Sequence, residues 1–289
     1  MMRPRKANVC ALQSSDTFNK AKIKNERQGV VILWKLQTDN MSICYGAKDV
    51  VTKINLTIPA EKITAIVGPN GSGKSTILRA ISRMIPAREG NVFINGENLL
   101  TIPDVEFAKN LSILSQSPDY VSGLTTRELI SYGRLPRKKG FGKLEHMDVQ
   151  AVEWALDVTN MKSLADVAFE ELSDGQRQKA WIAVTIAQDA SILILDEPMT
   201  YLDLQQQLEV MKLMERLNKE FDKTIVMALH DLNQAARFAD KIIAIKEGSI
   251  LAEGSPADVL RAETLCRLYG IEATVDMDPK IGKLVCYTY

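Results

Sequence analysis

The octapeptide Gly68-Pro69-Asn70-Gly71-Ser72-Gly73-Lys74-Ser75 satisfies G-x-x-x-x-G-K-[ST] at every position. It stands between an apolar run, Ile63–Val67, and a helical pattern carried by Ile77, Leu78 and Ile81. A strand, a glycine-rich loop and a helix in that order form a phosphate cradle. The glycines let the backbone wrap closely and aim N–H groups at phosphate oxygens, and the helix N-terminus adds the positive end of its dipole. In such a cradle Lys74 reaches the β- and γ-phosphates of a nucleotide, and Ser75 places its hydroxyl on Mg2+. Thr76 is positioned to add a hydroxyl near the α-phosphate.

The flanking sequence is that of an α/β fold. Short apolar runs at Leu111–Leu114, Ile192–Leu195, Thr224–Met227 and Ile242–Ile245 read as strands buried on both faces of a parallel sheet. Helical patterns alternate with them: Val149, Val152 and Leu156 at i, i+3 and i+7, and one long stripe of Leu204, Leu208, Met211, Met214 and Leu217. Upstream, β-rich runs occupy Val31–Leu36 and Val50–Ile58, and Asn91–Ile94 ends in the turn Asn95-Gly96. From Val121 to Leu164 the texture is helical, with no β-run. After Gly254 come short helices and then weak strands, ending in Val285–Tyr289. No internal repeat is visible, so the chain holds one nucleotide-binding unit.

The strand Ile192–Leu195 runs into Asp196-Glu197. Two carboxylates at the end of a buried strand are costly unless they have a task. Asp196 fits the Mg2+-orienting acid of a P-loop NTPase, and Glu197 is then placed to polarise an attacking water.

Composition removes other classes. Thirty-six basic residues balance 36 acidic ones over 289 residues, so no global basic field argues for a nucleic-acid partner. The longest apolar runs, such as Val30–Trp34, fall far short of the ~20 residues that span a bilayer. Cys10, Cys44, Cys266 and Cys286 form no C-x-x-C pair, so neither a zinc site nor a redox motif is suggested; two histidines exclude a His-rich metal site, and a reducing cytoplasmic compartment fits. Residues 1–29 carry seven basic residues against two acidic and no long apolar segment. They read as a disordered basic tail, with an anionic-surface contact, or a true start nearer Val30, as the alternatives.

Ser173-Asp174-Gly175-Gln176 lies 99 residues after Lys74 and just upstream of the Asp196 strand, and Ser173 is a natural N-cap for a helix running to about Ala187. Leu172–Gln178 resembles the signature motif of ATP-binding cassette ATPases. The other motifs of that family follow in its order: Gln116 resembles its Q-loop glutamine, Leu202-Asp203 its D-loop, and His230 the switch histidine that contacts the γ-phosphate. Tyr45 resembles the aromatic that stacks on adenine. Asp174 departs from the family, which has glycine there.

The resemblance covers about residues 35–270. It implies a P-loop NTPase core with a mainly parallel sheet, an N-terminal antiparallel β-subdomain and a helical signature-motif subdomain at about 117–180. The cassette would span 30–270, with 271–289 as an extension packed on it. ATP and Mg2+ are the implied ligands, with Ser75, Gln116 and Asp196 around the metal. Two copies would form a homodimer in which Ser173, Gly175 and Gln176 of one subunit meet the ATP held by the other, and Asp203 crosses the seam. The further implied partners are an integral membrane permease and, indirectly, an extracytoplasmic substrate-binding protein, with this chain peripheral on the cytoplasmic face. Thr125–Leu129, Tyr132–Pro136 and His230–Asp240 most resemble ATPases of ferric siderophore importers, within a branch that also serves haem and cobalamin. A cassette ATPase acting on nucleic acid or ribosomes, or a small-molecule kinase, is the competing class.

Overall fold

The computed structural model describes residues 36–46, 48–116, 121–137 and 144–289. The chain divides into two units, Met1–Ile32 and Leu33–Tyr289, and all the described residues belong to the second. The basic tail, most of the run at Val31–Leu36 and the start of the expected helical insertion lie outside the described residues.

Among the described residues the order is β1 Leu36–Tyr45, β2 Lys48–Ile54, β3 Thr57–Ile58, β4 Ile63–Val67, α1 Lys74–Ile81, β5 Glu89–Ile94, β6 Glu97–Asn98, α2 Asp104–Asn110, β7 Leu111–Leu114, α3 Thr126–Ser131 and α4 His146–Val158. Then come α5 Asp174–Ala187, β8 Ile192–Asp196, α6 Leu204–Phe221, β9 Thr224–Ala228, α7 Leu232–Phe238, β10 Lys241–Lys246, β11 Ser249–Gly254, α8 Pro256–Val259, α9 Ala262–Tyr269, β12 Ala273–Asp278 and β13 Lys283–Thr288.

Six strands form the central sheet in the order β11-β10-β4-β9-β8-β7. All its pairings are parallel except the β10–β11 hairpin. Every residue of β4, β8 and β9 is buried, which is why these strands read as unbroken apolar runs. A second, antiparallel sheet runs β2-β1-β5-β6, with β3 on β1. Asn95 and Gly96 both take positive φ in the two-residue turn between β5 and β6, as an Asn-Gly hairpin requires. The hairpin β12–β13 forms a third sheet.

The structure departs from the sequence reading in four places. Strand β1 has no apolar alternation, because two of its buried positions are polar: Thr38 and Ser42. The expected single run Val50–Ile58 breaks at Asn55-Leu56, where the Thr38 hydroxyl donates to the Ile54 carbonyl (2.9 Å) and accepts from the Leu56 N–H (3.0 Å). In α4 Val149 is exposed, and Asp148, Ala151, Val152, Ala155 and Leu156 are buried instead. In α6 the stripe buries Met211, Met214 and Leu217, but Leu204 is 84% exposed, because the first turn of α6 emerges from the loop beyond the end of β8.

The rotation of α4 has an electrostatic cause. Asp148 turns inward to accept from Arg134 Nε at 2.9 Å, with both side chains 7% exposed. Arg134 also donates to the Ala187 carbonyl (2.8 Å). Beside it, a Cβ on Gly133 would lie 2.3 Å from the Val184 carbonyl oxygen. The stretch Tyr132–Pro136 therefore locks α3, α4 and α5 together. Removing one partner strands a buried charge. Arg134→Ala should lose about 3–5 kcal/mol of stability, read by urea unfolding; a loss no larger than an exposed pair's would disprove the buried role.

Candidate functional site

The site lies at the C-terminal ends of β4, β8 and β9. The glycine-rich loop leaves β4, and Gly73, at φ 107, caps α1. Gly68 has to be glycine for a different reason: a Cβ there would lie 2.1 Å from the Ile245 carbonyl oxygen. The β10–β11 turn braces the loop, since the Gly248 N–H donates to the Ser72 carbonyl (2.9 Å). The Thr52 N–H donates to the Gly248 carbonyl (3.2 Å), which ties the antiparallel sheet to the same brace. Asn70 and Gly71 form the exposed tip, Pro69 and Thr76 are half-buried, and the buried Ser72 hydroxyl has no hydrogen-bond partner.

Lys74 is buried and folds back over its own loop. Its Nζ donates to the carbonyls of Gly68 (2.8 Å) and Pro69 (3.2 Å). Burial pulls its pKa down, opposed by the charges of Glu197 and Asp196. The Ser75 hydroxyl donates to Asp196 Oδ1 at 2.8 Å. Asp196 is 1% exposed and its Oδ2 has no partner. Burial pushes its carboxyl up, and the Ser75 hydrogen bond opposes this. A hydroxyl beside a carboxylate with an orphaned oxygen, at the mouth of a phosphate loop, fits Mg2+, which needs few protein ligands when phosphate and water supply the rest.

Next to this pair the chain holds Glu197 from two sides. Gln116 Nε2 donates to Glu197 Oε2 at 2.7 Å. His230 Nε2 lies 2.6 Å from Glu197 Oε1. Gln116 follows β7, Glu197 follows β8 and His230 follows β9, so parallel neighbours deliver all three side chains to one end of the sheet. Glu197 itself has φ 52, in the left-handed region. A cavity of about 190 Å³ opens behind it, lined by Thr200, Gln207, His230, Asp231 and Gln234 among others.

A second group forms at the N-termini of α5 and α6. The Ser173 hydroxyl accepts from the Gln176 N–H (3.4 Å) and Gln176 Oε1 accepts from the Ser173 N–H (2.9 Å), a reciprocal cap. Asp203 caps α6 in the same manner. A Cβ on Gly175 would lie 2.8 Å from Gln206 Oε1, so glycine lets the two helix starts approach. Asp174 is exposed and pairs with Arg177 (3.3 Å). Among the described residues, no hydrogen bond joins Ser173, Gly175, Gln176 or Asp203 to the phosphate loop of the same chain. Tyr45 is half-exposed at the end of β1, where it pairs with Lys48 of β2.

Two contributors escaped the sequence reading. Gln178, on α5, is buried and donates to the Pro198 carbonyl (3.0 Å), linking the signature helix to the loop after Glu197. Gly248 is the other: a Cβ there would lie 2.1 Å from the Val50 carbonyl oxygen, a close approach that exists once the fold brings the two together.

Comparison with known proteins agrees with this geometry. The family described as ABC transporter matches residues 51–200. The chain is 45% identical to the iron(3+)-hydroxamate import ATP-binding protein FhuC of Bacillus subtilis (strain 168), over 88% of this chain and 94% of that one. It is 38% identical to the ferric enterobactin transport ATP-binding protein FepC of Escherichia coli (strain K12), over 86% of this chain and 92% of that one. Among solved structures, a dimeric bacterial ABC transporter cassette superposes with a TM-score of 0.70 at 28% identity, covering 76% of this chain and 98% of that one. Identity at this level, held over most of both chains, means that this chain belongs to the ABC transporter family as one of its ATP-binding cassettes.

Proposed function

We propose that the chain is the ATP-hydrolysing subunit of an importer of ferric siderophores. The observation that carries the cargo class is its likeness, over almost the full length of each relative, to subunits named for import of ferric hydroxamate and of ferric enterobactin. No helix among the described residues is long and apolar enough to cross a membrane. Such a subunit works from the cytoplasmic face against a separate membrane permease, with an extracytoplasmic binding protein beyond it.

The work is divided among several groups. The backbone N–H groups of Gly68–Thr76 hold the phosphates, and Tyr45 stacks on adenine. Lys74 leaves the Gly68 and Pro69 carbonyls for the β- and γ-phosphates, stabilising charge that develops in the transition state. Ser75, Asp196 and Gln116 hold Mg2+, which when bound neutralises phosphate charge. Glu197 orients and polarises the attacking water, and His230 contacts the γ-phosphate. Gln116 and His230 each engage one Glu197 oxygen, which fixes the carboxylate's orientation and leaves each oxygen a lone pair to accept a water. Ser173, Gly175 and Gln176 open a helix whose N-terminus, among the described residues, makes no hydrogen bond to the phosphate loop of its own chain. They serve the ATP of a second copy, with Asp203 at the seam.

Uptake tests this reading. Cells lacking the chain should fail to take up labelled iron from one class of ferric siderophore. Wild type should restore uptake and Glu197→Gln should not. Dependence on haem or cobalamin instead would overturn the cargo, and co-purification with nucleic acid rather than an integral membrane protein would overturn the transport role.

A further inference from the structure

The segment His230–Asp240 contains a residue that the reaction does not yet use. Asn233 is the second residue of α7, whose N-cap is Asp231: the Asp231 carboxylate accepts from the N–H groups of Asn233 (2.7 Å) and Gln234 (3.1 Å). One residue earlier stands His230. With seven residues, α7 is too short to be stable by itself, so its position depends on what holds it.

Two side chains hold its first turn. Gln234 Nε2 donates to Gln207 Oε1 on α6 (3.0 Å). On another side, Asn233 reaches the C-terminal hairpin, where its Oδ1 accepts from the Cys286 N–H (2.7 Å) and its Nδ2 donates to the Cys286 carbonyl (3.4 Å). This is the pairing a neighbouring strand would make. The sheet has only two strands, and the Asn233 amide satisfies the backbone of β13 at Cys286. The Tyr289 N–H closes the hairpin by donating to the Glu272 carbonyl (3.1 Å). The hairpin follows α9, whose last residue, Tyr269, is half-buried, and burial pushes its hydroxyl up to about 12. Lys246, at the end of β10, donates to the Arg267 carbonyl in the same helix.

We propose that Asn233 is a positioning residue for ATP hydrolysis: by pairing with Cys286 it fastens α7, and through Asp231 the His230 imidazole, to the C-terminal hairpin. The hairpin thereby sets where His230 stands relative to Glu197, 2.6 Å away. Residues 273–288 are in this view part of the hydrolytic apparatus. The proposal rests on the reading of His230 as the γ-phosphate contact.

The test is steady-state ATP turnover by the purified full-length chain with Mg2+, comparing Asn233→Ala, Asn233→Asp, His230→Ala and the double variant. Misplacing a catalytic group by about 1 Å costs up to ~100-fold. Asn233→Ala should therefore lower kcat by about ten- to a hundredfold and leave KM for ATP within a factor of about two, because His230 is engaged chiefly in the transition state. Asn233→Asp keeps the 2.7 Å bond but sets a carboxylate oxygen where the 3.4 Å donor faces the Cys286 carbonyl, so it should recover only part of the rate. The double variant should be no slower than His230→Ala alone, since both losses act through one group. Unchanged kcat in Asn233→Ala beside an impaired His230→Ala overturns the proposal, as does an additive loss in the double variant. A wild-type rate in His230→Ala overturns instead the reading of His230 on which it depends. If Asn233→Ala does not fold, Asn233→Ser, polar but too short to span both Cys286 groups, replaces it in the comparison under the same criteria.

Discussion

Glu197→Gln should bind ATP with near wild-type affinity and hydrolyse it about 10²- to 10⁴-fold more slowly. The substitution is isosteric and removes the basic oxygen, so little else changes. A glutamine at 197 still offers an acceptor to Gln116 and keeps a second polar atom facing His230, which leaves the local structure intact. Nucleotide contacts made by the phosphate loop are untouched. If the proposed pair of copies is held together by ATP and separates on hydrolysis, the variant should accumulate as an ATP-bound dimer. Calorimetry, phosphate release and size-exclusion chromatography with ATP measure the three expectations. Hydrolysis at the wild-type rate would remove Glu197 from the role of base.

Lys74→Ala should show the opposite pattern, with binding lost before chemistry. The ammonium now rests on two loop carbonyls, so it is already desolvated and already sits in the cradle. Handing it from carbonyls to phosphates exchanges neutral acceptors for charged ones, which strengthens the same hydrogen bonds. Its deletion should cost about 2–3 kcal/mol of ATP binding, or roughly 30- to 140-fold in Kd. Titration calorimetry with ATP measures it, and an unchanged Kd would show that the lysine does not reach the phosphates.

What the sequence reveals and what it hides depend on how local each signal is. The phosphate loop and the Ser173 cap are contiguous, and the residues that make them also name them. The central strands are legible because both faces are buried. Strand β1 is not, since Thr38 and Ser42 occupy inward positions that a search for apolar alternation passes over. Val149 is misread because the demand of Arg134 for a partner turns α4, and that partner lies on another element. The Gln178–Pro198 bond and the anchor between Asn233 and Cys286 join residues 20 and 53 positions apart. Nothing in their neighbours announces either contact.

The left-handed backbone at Glu197 has a consequence for anyone who would make this protein sturdier. A side chain in that conformation costs roughly 1–2 kcal/mol, which glycine would largely recover. Selection or design guided by melting temperature alone would favour glycine at 197, and the gain in robustness would come with the loss of the proposed base. At this position a sturdier protein would be an inert one.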